Sequence, residues 1–233
     1  MSENAYLQSI SKASELLQTI GLKAHHNSML TLPSDYVNRV RDLPYLQQWE
    51  LHNSHFWYHL KLQDQSLILF KADSFKFMMS PFDKMETSTE FEERITQEWH
   101  DEGFSQEEVN CLLEDLDTLY SNYLDTELKH GAYTPLRVDI HPEQYHKVHH
   151  SVSHLHIGHD NESRLPIKKI MTPFAFVGFV ISTFYPKQWR LLREDGLIPE
   201  ADFLQLNQTL DSITSRHNDK WCPVEEENRF YLA

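Results

Sequence analysis

The chain has 233 residues, 40% of them hydrophobic and thirteen of them Phe, enough for a sizeable core; six scattered Gly exclude collagen-like or low-complexity character. A formal charge of −14 disfavours non-specific nucleic-acid binding, whose affinity comes from neutralising phosphates. Two distant cysteines, Cys111 and Cys222, with no C-x-x-C, exclude a cysteine-based zinc knuckle and fit a reducing compartment.

The opening stretch MSENAYLQSISKASELL has an early Glu and no uninterrupted apolar run, so no signal peptide and a cytoplasmic location are expected. Leu7, Ile10, Leu16, Leu17 and Ile20 have helical spacing, which predicts a helix from about Ser2 to Ile20 with Gly21 as its stop. His25-His26 is expected in a loop. Asp35 to Asp42 predicts a short helix before Pro44. In His55–Leu62, Phe56, Tyr58, Leu60 and Leu62 alternate with His55, Trp57, His59 and Lys61, the pattern of a strand. The polar turn QDQS leads to Leu67–Lys71, and Ser74–Met79 adds a third strand, giving an antiparallel meander. On this reading His52, His55 and His59 line one exposed strand face.

From Glu90 the period becomes helical. Phe91 to His100 predicts one helix, broken at Gly103. Ser105 and Glu108 then have capping-box spacing before a stripe of Val109, Leu112, Leu113, Leu116, Leu119, Tyr120 and Tyr123, which predicts a second helix to about Lys129. Between Glu86 and Glu127 there are fourteen acids and one base, Arg94. From Lys129 to Arg193 nine bases meet only four acids, so the chain is locally basic there. Ile170–Pro186 contains no charge and matches the lower limit of a membrane span, about 17 residues. Thr172-Pro173 reads instead as an N-cap and first helical position, and Pro186 closes the run, so a buried core helix and no membrane association are expected. Lys187–Glu194 extends it, and Phe203–Ile213 predicts a further helix.

The segment Thr134–Pro166 concentrates the chemistry. Seven of the fifteen histidines fall between His141 and His159. Arg137, Asp139 and His141 alternate with Val138 and Ile140; His154 and His156 alternate with Leu155 and Ile157. Side chains two apart in a strand share a face, so two strands near Leu136–His141 and Ser153–Gly158 each present a polar edge opposite an apolar one. Imidazoles ligate late first-row metals and act as acids near neutral pH. His154 and His156 are therefore the candidate acid–base pair or metal ligands, with Asp139 orienting one of them. His141 is the candidate third ligand of a divalent metal such as zinc or manganese. Arg137 and Arg164 are candidate clamps for phosphate or carboxylate, since guanidinium makes bidentate bonds to such oxygens. The competing reading is a structural polar edge, with either arginine bridged to Asp139 or Glu162. His146 and His150 would share a helix face if Gln144–His150 is helical. H-E-x-x-H is absent, as is the H-x-H-x-H run of histidine-triad hydrolases.

Together these elements predict a single α+β domain over residues 1–233, an antiparallel sheet of about five strands covered on one face by helices. Residues 1–85 hold the N-terminal helix and meander, 86–130 an acidic helical segment between the two strand groups, and 131–233 the histidine-rich strands and apolar helices. The ordered string Arg137-x-Asp139, Ser153–Gly158 (SHLHIG), Arg164–Pro166 (RLP), Met171–Phe174 (MTPF) and Phe184–Trp189 (FYPxxW) resembles an uncharacterised bacterial family of the domain-of-unknown-function kind. That resemblance implies a bacterial intracellular protein of roughly this length and carries no activity. The residues themselves point to a hydrolase of a phosphodiester or other anionic ester, nuclease-like in its chemistry, whose partner is an anionic small molecule or a nucleic-acid end. The alternative is a non-catalytic accessory subunit that binds a basic protein through the acidic helix at 105–128.

Overall fold

The computed structural model describes residues 2–82, 85–130, 133–147, 149–159, 163–194, 210–227 and 232, with backbone only at 128–130 and 194. The chain forms two compact units: Met1–Ser80 with Thr134–Ala233, and Pro81–Tyr133. The acidic segment expected at 86–130 falls within the second unit.

The first unit is built on strands β1 (Lys23–His26), β2 (Leu60–Leu62), β3 (Leu67–Phe70), β4 (Ser74–Met78), β5 (Leu136–Ile140), β6 (Ser153–Ile157) and β7 (Leu165–Pro166). They pair antiparallel in chain order, a seven-stranded meander in place of the five strands expected. One addition is β1, where a loop was expected at His25-His26. Helix α1 (Glu3–Thr19) ends in a Schellman closure: Gly21, at φ +70°, donates to Gln18 O, and Leu22 donates to Leu17 O. That reversal delivers Lys23 straight to the sheet edge. The other addition, β7, is only two residues long and contains a proline, so it has no periodicity to read.

The expected strand His55–Leu62 is corrected to its last three residues. Helices α2 (Tyr36–Val40) and α3 (Tyr45–Ser54) precede it, and α3 closes with Phe56 at φ +55° while Trp57 N donates to His52 O. The apparent alternation was a helix end followed by a strand start. His52 consequently sits fully buried on α3 rather than on an exposed strand face.

Apolar side chains of β2–β6 (Leu60, Leu62, Ile68, Phe70, Phe75, Phe77, Leu136, Val138, Leu155) form one core. Into the same cluster come Ile10, Ala13, Leu16 and Leu17 of α1 and Phe176, Val177, Val180 and Ile181 of α7 (Pro173–Phe184). Thr172 caps α7 as its sequence implies, its hydroxyl accepting from Ala175 N at 3.2 Å. Among the described residues no helix is long and apolar enough to cross a membrane. The opposite sheet face carries a smaller cluster of Leu69 with Tyr36, Val40 and Trp57. Val152, where the chain enters β6, packs with Ile213 and Trp221. Helix α8 spans Pro186–Glu194, α9 Ile213–Arg216 and α10 Pro223–Glu226. Most of the helix expected at Phe203–Ile213 lies outside the described residues; Leu210–Ser212 is not helical, and Ile213 opens α9.

The second unit contains α4 (Ser88–Asp101), α5 (Gln106–Leu113) and α6 (Leu116–His130). Both N-termini carry complete capping boxes, Thr87 with Glu90 and Ser105 with Glu108. The single helix expected from Ser105 to Lys129 is instead two, restarting where Thr118 and Leu119 donate to Asp115 O. Acids are unfavourable at a helix C-terminus and favourable at an N-terminus, so Glu114-Asp115 is a natural restart point. Arg94 is ion-paired to Glu86 at 2.8 Å and Glu98 at 3.0 Å and stacks on Phe91 and Tyr123.

Phe176, fully buried on α7 and in ring contact with Phe70 and Phe75, is the helix's main anchor on the sheet. Phe176→Ala is expected to cost about 3–5 kcal/mol, read as a fall in the urea midpoint with little change in slope.

Candidate functional site

The site arises from strand register. On β5, Arg137 and Asp139 point away from the core formed by Leu136 and Val138, and on β6, His154 and His156 point away from Leu155. Asp139 lies opposite His154 and Arg137 opposite His156. On the other side Ser74 lies opposite Asp139 and Lys76 opposite Arg137. Three strands therefore present two polar rows, Ser74–Asp139–His154 and Lys76–Arg137–His156, on one sheet face.

Asp139 is the hub of these rows, 7% exposed. Ser74 Oγ–H donates to its Oδ1 at 2.8 Å, and Arg137 Nε–H donates to its Oδ2 at 2.8 Å. His156 Nε2 lies 3.3 Å and His154 Nε2 3.9 Å from the same Oδ2. Burial alone pushes the Asp139 carboxyl up, but His156, Arg137 and Ser74 together outweigh it and hold the group well below the usual carboxylate range. His154 and His156 are 1% and 3% exposed, their rings edge to face with centres 4.8 Å apart. His154 Nδ1–H donates to Ser151 O at 3.0 Å. Burial first, then the neighbouring His156, lowers the His154 pKa to about 4, so that ring is neutral at pH 7. His156 Nδ1 is buried with no hydrogen-bond partner among the described residues.

All the residues of these rows except His154 floor a cleft of about 500 Å³, lined also by Tyr36 and Arg41 of the α2 region, Lys71, Asp73, His141, His159 and Arg164. Five cationic side chains (Arg41, Lys71, Lys76, Arg137, Arg164) thus face two carboxylates. Lys71 pairs with Asp73 at 3.3 Å and Arg137 with Asp139. Arg41, Lys76 and Arg164 make no ion pair among the described residues, so the cleft carries surplus positive charge inside an acidic chain. Lys76 is held by geometry rather than by an anion: its Nζ lies 5.6 Å from the centre of the Tyr36 ring. Burial, followed by the nearby Arg137 charge, pushes its pKa down to about 8, with Asp139 opposing. Tyr36 is fixed in turn. Its hydroxyl donates to His52 Nε2 at 2.7 Å while His52 Nδ1–H donates to Gln48 O at 2.6 Å.

Of the residues singled out from sequence, Arg137, Asp139, His154 and His156 come together as one network, and Arg164 and His141 line the same cleft. Ligand atoms of Asp139, His154 and His156 all lie within 4.8 Å of one another. His141 stands apart from that group, with Nδ1 3.3 Å from Glu143. The arginine alternative through Glu162 lies outside the described residues. His146 and His150 do not share a helix face; His146 N donates to His150 O across a tight bridge. Ser74, Lys76, Tyr36 and Arg41 were missed from the sequence. Ser74 and Lys76 had a signal, two polar positions alternating with Phe75 and Phe77, which matters only once β4 is known to neighbour β5.

The molecule is therefore an α+β protein in which an antiparallel meander carries a cationic cleft over a buried Asp–His–His cluster. The chain belongs to the family described as uncharacterized conserved protein (DUF2290), whose family model matches residues 10–230 and so spans every residue of the site. No curated protein and no solved structure matches it significantly.

His52 underpins the Tyr36 wall of the cleft and gives a pH test. Burial, then the Lys76 charge, lowers its pKa from 6.5 to about 4 in the folded protein. A depressed histidine pKa means its contribution is complete above about 6.5 and is lost as pH falls toward 4. Between pH 7.5 and 5 the loss is expected to be about 2 kcal/mol, measured by urea denaturation, and His52→Gln should remove that part of the pH dependence.

Proposed function

We propose that the protein is a hydrolase of a phosphodiester or other small anionic ester. The observation that carries this reading is the juxtaposition of surplus positive charge in the cleft with a buried, ionised Asp139 that organises two histidines. Lys76 is half-buried beside Arg137 with no carboxylate partner among the described residues, and the sheet alone gains nothing from it, because burying charge is costly unless it is compensated; exposed Arg41 and Arg164 add further positive charge to the cleft. An anionic substrate supplies that compensation. Arg137 and Arg164 would hold the substrate's oxygens, and Lys76 adds a third donor from β4. His154 and His156, fixed by Asp139 and Ser151, would serve the attacking water or the leaving group, either as acid and base or as ligands of a metal that activates water. Rigid strands hold these groups, which suits chemistry that depends on sub-ångström placement. A cytoplasmic setting fits the two free cysteines.

A second reading rests on the other unit, whose single base between Glu86 and Glu127 is already committed to Glu86 and Glu98. Such a surface suits a basic protein partner. It expects charge reversal at Glu107, Glu108, Glu114 and Asp115 to break binding to that partner while change at His154 and His156 is tolerated, the opposite of the hydrolase pattern.

The test is turnover of nitrophenyl phosphodiester, phosphomonoester and carboxylic esters, with divalent metals supplied. His156→Ala should lower kcat by about 100-fold or more, and Arg164→Ala should mainly raise KM, by about tenfold. Turnover that survives undiminished in the His154→Ala/His156→Ala variant sinks the assignment.

A further inference from the structure

We infer that Asp139, His154 and His156 form a three-ligand site for one divalent transition metal, with coordination positions left open. The inference shares its residues with the proposed hydrolase site but stands on geometry alone.

Two features point to a cation among these atoms. His154 has its Nδ1–H committed to Ser151 O, so in the neutral ring Nε2 carries a bare lone pair. That Nε2 lies 3.9 Å from Asp139 Oδ2, beyond hydrogen-bond reach. With Nδ1 taken, Nε2 is the His154 atom open to a cation, and it stands beside the Asp139 carboxylate. The second feature is spacing. Ligands about 2.0–2.1 Å from a tetrahedral zinc lie about 3.4 Å apart. His156 Nε2 and Asp139 Oδ2 are 3.3 Å apart, His154 Nε2 and Asp139 Oδ2 are 3.9 Å apart, and all three ligand atoms fall within 4.8 Å of one another. A shift of about half an ångström brings the His154–Asp139 distance to the tetrahedral value.

Two of the three ligands carry the surrounding bonds a metal site requires. The Ser151 carbonyl orients the His154 ring, while Ser74 and Arg137 hold the carboxylate. His156 is the exception, its Nδ1 having no partner among the described residues. Two imidazoles and one carboxylate, with no thiolate among them, suit Zn²⁺, Mn²⁺ or Fe²⁺, and the third ligand is Asp139 rather than His141. Open positions toward the cationic cleft would let a substrate oxygen or water reach the ion.

The experiment is titration of chelator-stripped, untagged full-length protein with Co²⁺, followed by visible absorption and calorimetry. One tight Co²⁺ per chain with d–d bands is expected. His146→Ala/His149→Ala, which removes an exposed histidine pair, should leave it unchanged, whereas His154→Gln should weaken it by more than about 100-fold, the upper end of what losing an outer-shell partner costs. Should that variant fold poorly, His154→Cys supplies a positive signal, since a thiolate on Co²⁺ adds a near-ultraviolet charge-transfer band. Absence of a one-to-one complex in the wild type, or a complex indifferent to His154→Gln, overturns the site. A one-to-one complex without ester turnover supports the metal site and overturns the hydrolase reading; turnover without any complex does the reverse.

Discussion

A buried carboxylate that stays ionised is the constraint on which the polar face of the sheet depends. Burial at 7% exposure pushes the Asp139 carboxyl up; against it Ser74 from β4, Arg137 from its own strand and His156 from β6 converge on its two oxygens. That convergence ties three strands together through side chains as well as backbone. It also fixes the register. A slip of one residue in β5 would turn Arg137 and Asp139 into the apolar core and Val138 into the cleft, so that slip buries uncompensated charge.

The two faces divide the work. Phe75, Phe77, Val138 and Leu155 hold the sheet against Ile10, Leu17, Phe176 and Val180, so the strands beneath the site are anchored from behind. In front, the helical turns around α2 and α3 bring Tyr36 and Arg41 to the cleft wall, and the Tyr36–His52–Gln48 chain of hydrogen bonds sets the ring that Lys76 rests on. The positive charge of the cleft is therefore assembled from several parts of the first unit, while most of the chain's acid surplus lies in the other unit.

Much of this was legible in the residues. The two-residue period of Arg137-Val138-Asp139 and His154-Leu155-His156 reports strand geometry directly, and the pairing of β5 with β6 follows from their nearness in sequence. Thr172-Pro173 announced α7, and the spacing of Ser105 and Glu108 announced a capping box. What the sequence hid depended on long-range pairing or on helix ends. Lys76 and Ser74 acquire meaning only through β4 lying beside β5, some sixty residues away. The period from His55 to Leu62 misled because a Schellman closure through Phe56 imitates alternation, and it placed His52 on a strand when it is a helix residue bonded to Tyr36. The edge strand β1 was hidden because its Lys-Ala-His-His has no apolar alternation; Gly21 at the end of α1 was its only herald.

The most direct test of this account is the protonation state of His154, because Asp139 and Ser151 define the site only if that ring is neutral with its hydrogen on Nδ1. Long-range proton–nitrogen correlation spectra of ¹⁵N-histidine-labelled, metal-stripped protein at neutral pH resolve the tautomer of each imidazole. The account predicts a neutral His154 with Nδ1 protonated and Nε2 bare. A spectrum showing His154 as an imidazolium, or carrying its proton on Nε2, would contradict it.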